Sequence, residues 1–189
     1  MTNGFGPPPL GTNDVYAAFV GVIDQPAAQR IVQGITTAMA NRVTHLHLLF
    51  QSAGGFVGDG VFLYNFFRAL SLPLTIYNLG GVYSIGTIAY LGAERRKVST
   101  YASFMVHRST ATPKTTTAIG LEAAANSLMV DDARTEAILR NRTKLSDEHW
   151  RRIHAGEDVT IGAAEAESLG FATQISEFEP PDGAQIYHL

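Results

Sequence analysis

The chain has 189 residues, of which 16% are charged and 46% hydrophobic, and its formal net charge is −3. This length predicts a single domain, and a charged fraction well below the roughly 25% of typical soluble domains predicts that an oligomer covers part of the surface. The slight negative charge argues against a nucleic-acid partner, and the absence of cysteine excludes disulfides, thiolate metal sites and a cysteine nucleophile.

Proline and glycine are concentrated near the two ends of the chain. Their density predicts a flexible N-terminal arm over residues 1–13 and a loose C-terminal tail over residues 179–189. No basic residue precedes Arg30, so we expect no signal peptide. No apolar run reaches the roughly 18 residues that a membrane-spanning helix needs. We therefore expect a cytoplasmic protein with one domain over residues 14–178.

Between these ends, strand-like and helix-like patterns alternate. Strands are predicted over residues 16–23, 43–50, 74–79, 96–100 and 103–107. Helices are predicted from Gln25-Pro26, after the turn at 51–55, from about Ser84, and over a long stretch of about 120–142. Strands that alternate with helices of this length indicate an α/β fold with parallel strand pairing.

Two glycine pairs, Gly54-Gly55 and Gly80-Gly81, each follow a predicted strand and precede a predicted helix. Glycine permits close backbone approach, and the unpaired N–H groups at a helix N-terminus suit an anion or a developing oxyanion. Plain tight turns would have the same sequence. Neither pair belongs to a dinucleotide-binding fingerprint.

Ser84 lies at the second of these strand-to-helix junctions, a position suited to a nucleophile beside an oxyanion hole. A serine that simply caps the helix would occupy the same position. A nucleophilic serine needs a base, and His107 is the best candidate because it ends a predicted strand. The residues alone do not select the third, acidic member from the 17 carboxylates of the chain.

The other five histidines are weaker candidates. His45 and His47 lie two apart on one strand and so share a face. A metal site there would need further ligands that the sequence does not identify, so a solvated or edge face is favoured. His149 and His154 lie in a polar stretch expected at the surface, and His188 lies in the tail.

Taken together, three segments resemble the proteolytic subunit of the Clp protease, a serine peptidase family of the Clp/crotonase fold. They match its glycine turn, its nucleophile segment and its base segment, in order: Gln51-Ser52-Ala53-Gly54-Gly55, Leu79-Gly80-Gly81-Val82-Tyr83-Ser84-Ile85-Gly86 and Met105-Val106-His107-Arg108-Ser109. The resemblance covers about residues 16–175. Ala53 stands where the family has proline, and Arg108-Ser109 replaces Gln-Pro.

The resemblance implies a catalytic triad of Ser84, His107 and Asp158. Asp158 is assigned because the family's acid lies seven residues before the glutamate of an Ala-x-Glu-Ala helix, which here is Glu165. It also implies an oxyanion hole from the N–H groups of Gly55 and Ile85. No metal or organic cofactor is implied.

The resemblance further implies a fold of repeated ββα units with a protruding helix-strand handle, here about residues 110–142. Family members assemble into two stacked heptameric rings that enclose a chamber, and an ATP-dependent Clp unfoldase feeds them unfolded protein. The implied function is that of a serine endopeptidase acting on peptides or unfolded protein, with no nucleic-acid or membrane partner.

Three other functions stay open. The chain could be a catalytically silent or partner-dependent Clp-like subunit. A crotonase-type acyl-CoA enzyme also uses paired backbone N–H groups at glycine turns, although it needs no Ser-His-Asp set. A Ser/Lys peptidase would need a lysine base, and none of the three lysines matches such a position.

Overall fold

A computed structural model describes residues 13–112 and 117–189. Apart from Asn13, the predicted N-terminal arm lies outside the described residues. The strands are β1 (Asp14–Val20), β2 (His45–Gln51), β3 (Leu74–Asn78), β4 (Gly81–Tyr83), β5 (Arg95–Val98), β6 (Ser103–Val106), β7 (Val159–Gly162), β8 (Gln174–Ile175) and β9 (Ile186–His188). The helices are α1 (Gln25–Ala40), α2 (Val57–Ala69), α3 (Ile85–Tyr90), α4 (Ala118–Arg142), α5 (Asp147–His154) and α6 (Ala163–Ser168).

In the described residues, the larger sheet has the strand order β8-β5-β3-β2-β1-β9, and all of its pairings are parallel. Helices connect most of its neighbouring strands, as parallel pairing requires. A smaller sheet has the order β4-β6-β7, with a parallel and an antiparallel pairing. This architecture confirms the predicted α/β class and is consistent with the Clp/crotonase-like fold. No helix among the described residues is both long and apolar enough to cross a membrane.

The central strand β2 shows how the sequence builds the core. Its residues alternate between buried and half-buried, with Leu46, Leu48 and Phe50 on the buried face, as expected for period-two side-chain alternation. Helix α1 contributes Ile31 and Ile35, which are fully buried. Each such side chain contributes about 1.5–3 kcal/mol relative to exposure.

Helix α1 begins where the Gln25-Pro26 signal predicts. Asp24 is its N-cap, and the Asp24 carboxylate accepts a hydrogen bond of 2.8 Å from the Ala27 N–H. The long helix predicted over about 120–142 is also present, as α4. Residues 113–116 of the predicted handle lie outside the described residues.

The C-terminal residues differ from the loose tail expected from composition. Strand β9 pairs in parallel with β1, and the Leu189 N–H donates to the Ala18 carbonyl at 2.9 Å. The Pro-Pro-Asp-Gly segment that suggested a tail is followed by Ile186 and Tyr187, which suit a strand. The free edge of β1 supplies the hydrogen-bonding partners.

Candidate active site

Ser84 lies between β4 and α3 in a conformation that non-glycine residues rarely adopt, with φ 55° and ψ −129°. The Ser84 N–H donates to the Met105 carbonyl at 2.8 Å, which ties this turn to β6. Ser84 is the N-cap of α3, yet its side chain makes no capping hydrogen bond. The hydroxyl is therefore available for another partner.

That partner is His107, whose Nε2 lies 2.7 Å from Ser84 Oγ. The pairing of β4 with β6 explains the contact, because its register sets Tyr83 opposite Met105 and both strands end at the same edge. Ser84 immediately follows one strand, and His107 immediately follows the other. Parallel neighbours thus bring a hydroxyl and an imidazole into hydrogen-bonding distance.

Asp158 lies on the other side of His107. Strands β6 and β7 are antiparallel, and their last register pair is Val106 with Val159. One further step along both strands sets His107 opposite Asp158, and Nδ1 lies 3.2 Å from Oδ1. The Asp158 side chain is 67% exposed in the single chain, against 25% for His107.

The glycine turn is held against the segment between β1 and α1. The Ile23 N–H donates to the Gly54 carbonyl and the Phe56 N–H donates to the Ile23 carbonyl, both at 2.8 Å. Gly55 lies between these two bonds, so its own N–H is directed away from Ile23. Ser52 Oγ also accepts a hydrogen bond from the Gly54 N–H at 3.0 Å. This bond supports the turn at Ala53, the position where the family pattern has proline.

Both residues of this turn must be glycine. Gly54 has φ +110°, and a Cβ there would lie 2.8 Å from Ser84 Cβ. Gly55 has φ +153°, and a Cβ there would lie 2.0 Å from the Ile23 carbonyl oxygen. The close approach of this turn to Ser84 thus depends on the missing side chains.

Gly55, Ser84, Ile85 and His107 line one cavity of ≈ 70 Å³. In the described part of the chain, no backbone carbonyl accepts from the N–H groups of Gly55 or Ile85. Ile85 is the first residue of α3, so its free N–H is expected from helix geometry. Two free donors beside a hydroxyl–imidazole pair can stabilise an oxyanion formed at a carbonyl under attack.

Sequence reasoning missed the contact between α4 and the residues that follow His107. Asp132 Oδ1 accepts from the Ser109 N–H at 2.7 Å, and Asp132 Oδ2 lies 2.7 Å from Arg108 Nη2. Burial alone would raise the pKa of Asp132, but these hydrogen bonds and the Arg108 charge hold that pKa below its ordinary value. The Arg108-Ser109 departure from the family pattern was the available signal.

The remaining histidines have other contacts. His149 is in the capping box of α5, and its Nε2 lies 3.1 Å from Glu165 Oε1. His154 contacts Glu136, also across the surface. His188 is exposed in β9 rather than in a tail.

His45 and His47 share one face of β2, as predicted, but the solvated or edge position was wrong. β2 lies between β1 and β3, and the His47 side chain is only 14% exposed. Asp14 of β1 joins these histidines to form a group of three possible metal ligands. The group is at the opposite end of β2 from the glycine turn.

Cavity size alone does not select the active site. A larger cavity of ≈ 620 Å³ lies against α1, β1 and β9, with Val15, Arg30 and Leu189 in its lining. Its lining contains neither Ser84 nor His107. The smaller cavity is the one lined by a hydroxyl, an imidazole and free backbone N–H groups.

Comparison with known proteins adds one positive finding. The family model for Clp protease matches residues 14–179, which is most of the chain. A search of curated proteins gave no match. The matched range runs from the start of β1 to just beyond β8 and includes Ser84, His107 and Asp158. The chain belongs to the Clp protease family.

Proposed function

We propose that this protein is a serine endopeptidase of the Clp type, which hydrolyses peptide bonds with Ser84, His107 and Asp158. The observation that carries the proposal is the continuous contact from Ser84 Oγ to His107 Nε2, at 2.7 Å, and from His107 Nδ1 to Asp158 Oδ1, at 3.2 Å. The three residues come from separate elements, so local sequence proximity does not account for their meeting.

In the first step Ser84 Oγ attacks the carbonyl carbon of the scissile bond. His107 Nε2 takes the hydroxyl proton as the new C–O bond forms. The Asp158 carboxylate faces Nδ1, so it favours the tautomer with hydrogen on Nδ1 and stabilises the imidazolium that results.

The developing oxyanion would accept hydrogen bonds from the Gly55 and Ile85 N–H groups, which line the same cavity as Ser84. Both donors belong to backbone held in place before substrate binds, so they need little reorganisation. Collapse of the tetrahedral intermediate breaks the C–N bond, and His107 gives its proton to the leaving amine. Water then attacks the acyl-serine with His107 again as base, which releases the second product and restores Ser84.

We also propose that the active form is an oligomeric chamber of two stacked heptameric rings in the cytoplasm, fed by an ATP-dependent Clp unfoldase. Support comes from α4, whose 25 residues include only Ile138 and Leu139 as buried side chains. Several apolar side chains of this helix are exposed in the single chain, namely Ile119, Leu121, Met129 and Val130. The low charged fraction agrees with a surface that is partly covered.

The exposure of Asp158 favours a second candidate, a subunit whose activity depends on its partners. At 67% exposure the carboxylate is well solvated, so it orients His107 less firmly than a buried acid would. Assembly that covers Asp158 would strengthen the pair. Activity per chain should then rise with protein concentration until assembly is complete.

The test is labelling with a serine-directed fluorophosphonate followed by mass mapping. We expect one adduct, on Ser84, and its loss in His107→Ala, because an unassisted serine hydroxyl is a weak nucleophile. His154→Ala is the matched control, since His154 is exposed and contacts Glu136 instead. An unlabelled Ser84 in a folded, ring-sized particle would contradict the peptidase and favour the silent subunit. Slow turnover of acyl-CoA without a Ser84 adduct would favour the crotonase-type enzyme.

A further inference from the structure

A second chemically distinctive group lies at the start of β1 and β2. Asp14 and His45 are register partners in the parallel pairing of these strands, and His47 follows two residues later on the same face. One ligand atom from each of the three side chains lies within 4.8 Å of the other two. Two histidines at positions i and i+2 of a strand, with a carboxylate on the neighbouring strand, thus lie together on one face of the sheet.

His47 Nε2 is the atom that needs an explanation. It is buried and has no hydrogen-bond partner among the described residues. The nearest carboxylate oxygen, Asp14 Oδ2, is 3.7 Å away, too far for a hydrogen bond. A buried polar atom without a partner is unfavourable, because the hydrogen bonds it made with water are not replaced.

The gap between these two atoms suits a metal ion. Zinc lies about 2.0–2.2 Å from imidazole nitrogen and carboxylate oxygen, so two ligands at a tetrahedral angle are about 3.4 Å apart. The observed separation of 3.7 Å is close to that value. We propose that Asp14, His45 and His47 form a binding site for a divalent transition metal, with Zn²⁺ the best match and a fourth position open to water.

The surroundings select the nitrogens that would bind. His47 Nδ1 lies 2.8 Å from the Tyr77 hydroxyl, so an N–H there donates to Tyr77 and leaves the Nε2 lone pair free. His45 Nε2 lies 2.8 Å from Thr75 Oγ1, which leaves Nδ1 for the metal. Hydrogen bonds of this kind orient metal-bound imidazoles and fix their tautomers.

Neighbouring aromatic rings cover part of the group. Tyr16 stacks on His47 with ring centroids 4.7 Å apart, and the Phe178 ring packs edge-on against Tyr16 and Tyr77.

The charges around the group oppose one another. Arg95 and Lys97 of β5 are close enough to His45, and Lys97 to His47, for their positive charges to disfavour a cation. Lys97 Nζ, however, lies 5.5 Å from the centre of the Tyr77 ring, so its charge is partly engaged there. The Asp14 carboxylate is the negative charge within direct reach of the site. Binding would therefore depend on the direct contacts of the metal ion with Asp14, His45 and His47.

The experiment is a calorimetric titration of the chelator-stripped full-length protein with Zn²⁺, repeated with Co²⁺ under absorption spectroscopy. We expect one ion per chain and the visible bands of four-coordinate Co²⁺. Asp14→Asn and His47→Gln should abolish this binding, with unchanged circular dichroism as the check on folding. His154→Gln should leave the binding intact, because His154 belongs to a different His–carboxylate pair, with Glu136.

A variant of Tyr77, whose hydroxyl contacts His47 Nδ1, makes the test sharper. Tyr77→Phe removes the hydroxyl that orients His47 while it preserves the ring, so affinity should fall about 10- to 100-fold without loss of stoichiometry. Absence of Zn²⁺ binding in the wild type would overturn the proposal. So would binding that survives both Asp14→Asn and His47→Gln. None of these outcomes depends on peptidase activity, so the metal site and the proposed function can fail separately.

Discussion

The backbone of Ser84 carries a local cost that the surrounding structure must balance. A non-glycine residue at φ 55° and ψ −129° is strained by about 1–3 kcal/mol. The hydrogen bond from the Ser84 N–H to the Met105 carbonyl of β6 helps to hold this conformation. Its result is that Oγ projects from a sharp strand-to-helix turn toward His107, the arrangement of a serine nucleophile.

Asp158→Asn tests the role of the acid. We expect kcat to fall about 10²- to 10⁴-fold with little change in KM, because an amide supports the wrong imidazole tautomer and no longer stabilises the imidazolium. The measurement is hydrolysis of a fluorogenic peptide together with the rate of fluorophosphonate labelling. Glu157→Gln is the neighbouring control, since Glu157 pairs with Arg152. Equal activity in the two variants would remove Asp158 from the triad.

Gly55→Ala tests the glycine turn. The new Cβ would lie 2.0 Å from the Ile23 carbonyl oxygen, so the turn must move and carry its N–H away from the oxyanion position. We expect peptidase activity to fall by at least about 10²-fold and the unfolding temperature to fall as well. Gly58→Ala is the control, because nothing lies within 4 Å of that Cβ and alanine should stabilise α2 by about 0.5–1 kcal/mol. Retained activity in Gly55→Ala would exclude its N–H from catalysis.

Local sequence patterns identify those parts of the site whose geometry is local. A strand, a glycine-containing turn and a helix predict where Ser84 lies, and a strand end predicts where His107 lies. Asp158 has no such signal, because its position depends on the antiparallel pairing of β6 with β7, which are far apart in sequence. Only the family resemblance pointed to it. The contact of Asp132 with Arg108 and Ser109 was missed because the periodicity of a helix does not predict which loop the helix packs against.

At the scale of elements, the Asp132 carboxylate links α4 to the segment that follows His107. Asp132 binds both the Arg108 side chain and the Ser109 N–H, directly after His107. Any displacement of α4 therefore acts on the segment that carries the imidazole. For the proposed peptidase we therefore expect Asp132 to position His107 through Arg108 and Ser109 rather than to contact the reacting atoms.

Asp132→Asn should lower kcat about 10- to 100-fold with KM nearly unchanged, because small errors in the placement of a base are costly. The measurement is peptide hydrolysis with a comparison of kcat and KM. Asp131→Asn is the control, since Asp131 is adjacent on α4 but pairs with Arg134. Imidazole positioning predicts that the fluorophosphonate labelling rate falls in parallel with kcat. A loss of thermal stability with normal labelling would reduce Asp132 to a purely structural role.

The ionised Asp132 should also make the stability of the protein depend on pH. The pKa of Asp132 is held below its ordinary value of 3.8, so its contribution is present above that value and is lost as pH falls through the lower native pKa. The stability difference between wild type and Asp132→Asn should thus be constant near neutral pH and shrink in acid. Denaturant unfolding between about pH 3 and pH 7 measures it. A difference that grows in acid would contradict the ionised pair.

At the scale of the whole molecule, the alternation of strand-like and helix-like patterns predicted the α/β class, whereas composition misjudged the C-terminal end. Proline and glycine around residues 180–183 suggested a loose tail, whereas β9 adds to the edge of β1. A short edge strand is specified by the partner that it pairs with rather than by its own residues, so composition could not reveal it. The low charged fraction pointed instead to a covered surface, and exposed apolar residues of α4 are candidates for it.

The sparse burial of α4 predicts an oligomer. A helix of 25 residues with two buried side chains gains little from packing within its own chain, and helices are stabilised mainly by such packing. We therefore expect sedimentation velocity to find a particle many times the 20.4 kDa of one chain. Val130→Asp should dissociate it by placing a charge on an exposed apolar position, while Ser127→Asp, which adds the same charge without removing apolar surface, should have a smaller effect. Since Asp158 is solvated in the single chain, dissociation should also reduce peptidase activity. A stable, fully active monomer would contradict both the chamber and the dependence of the triad on assembly.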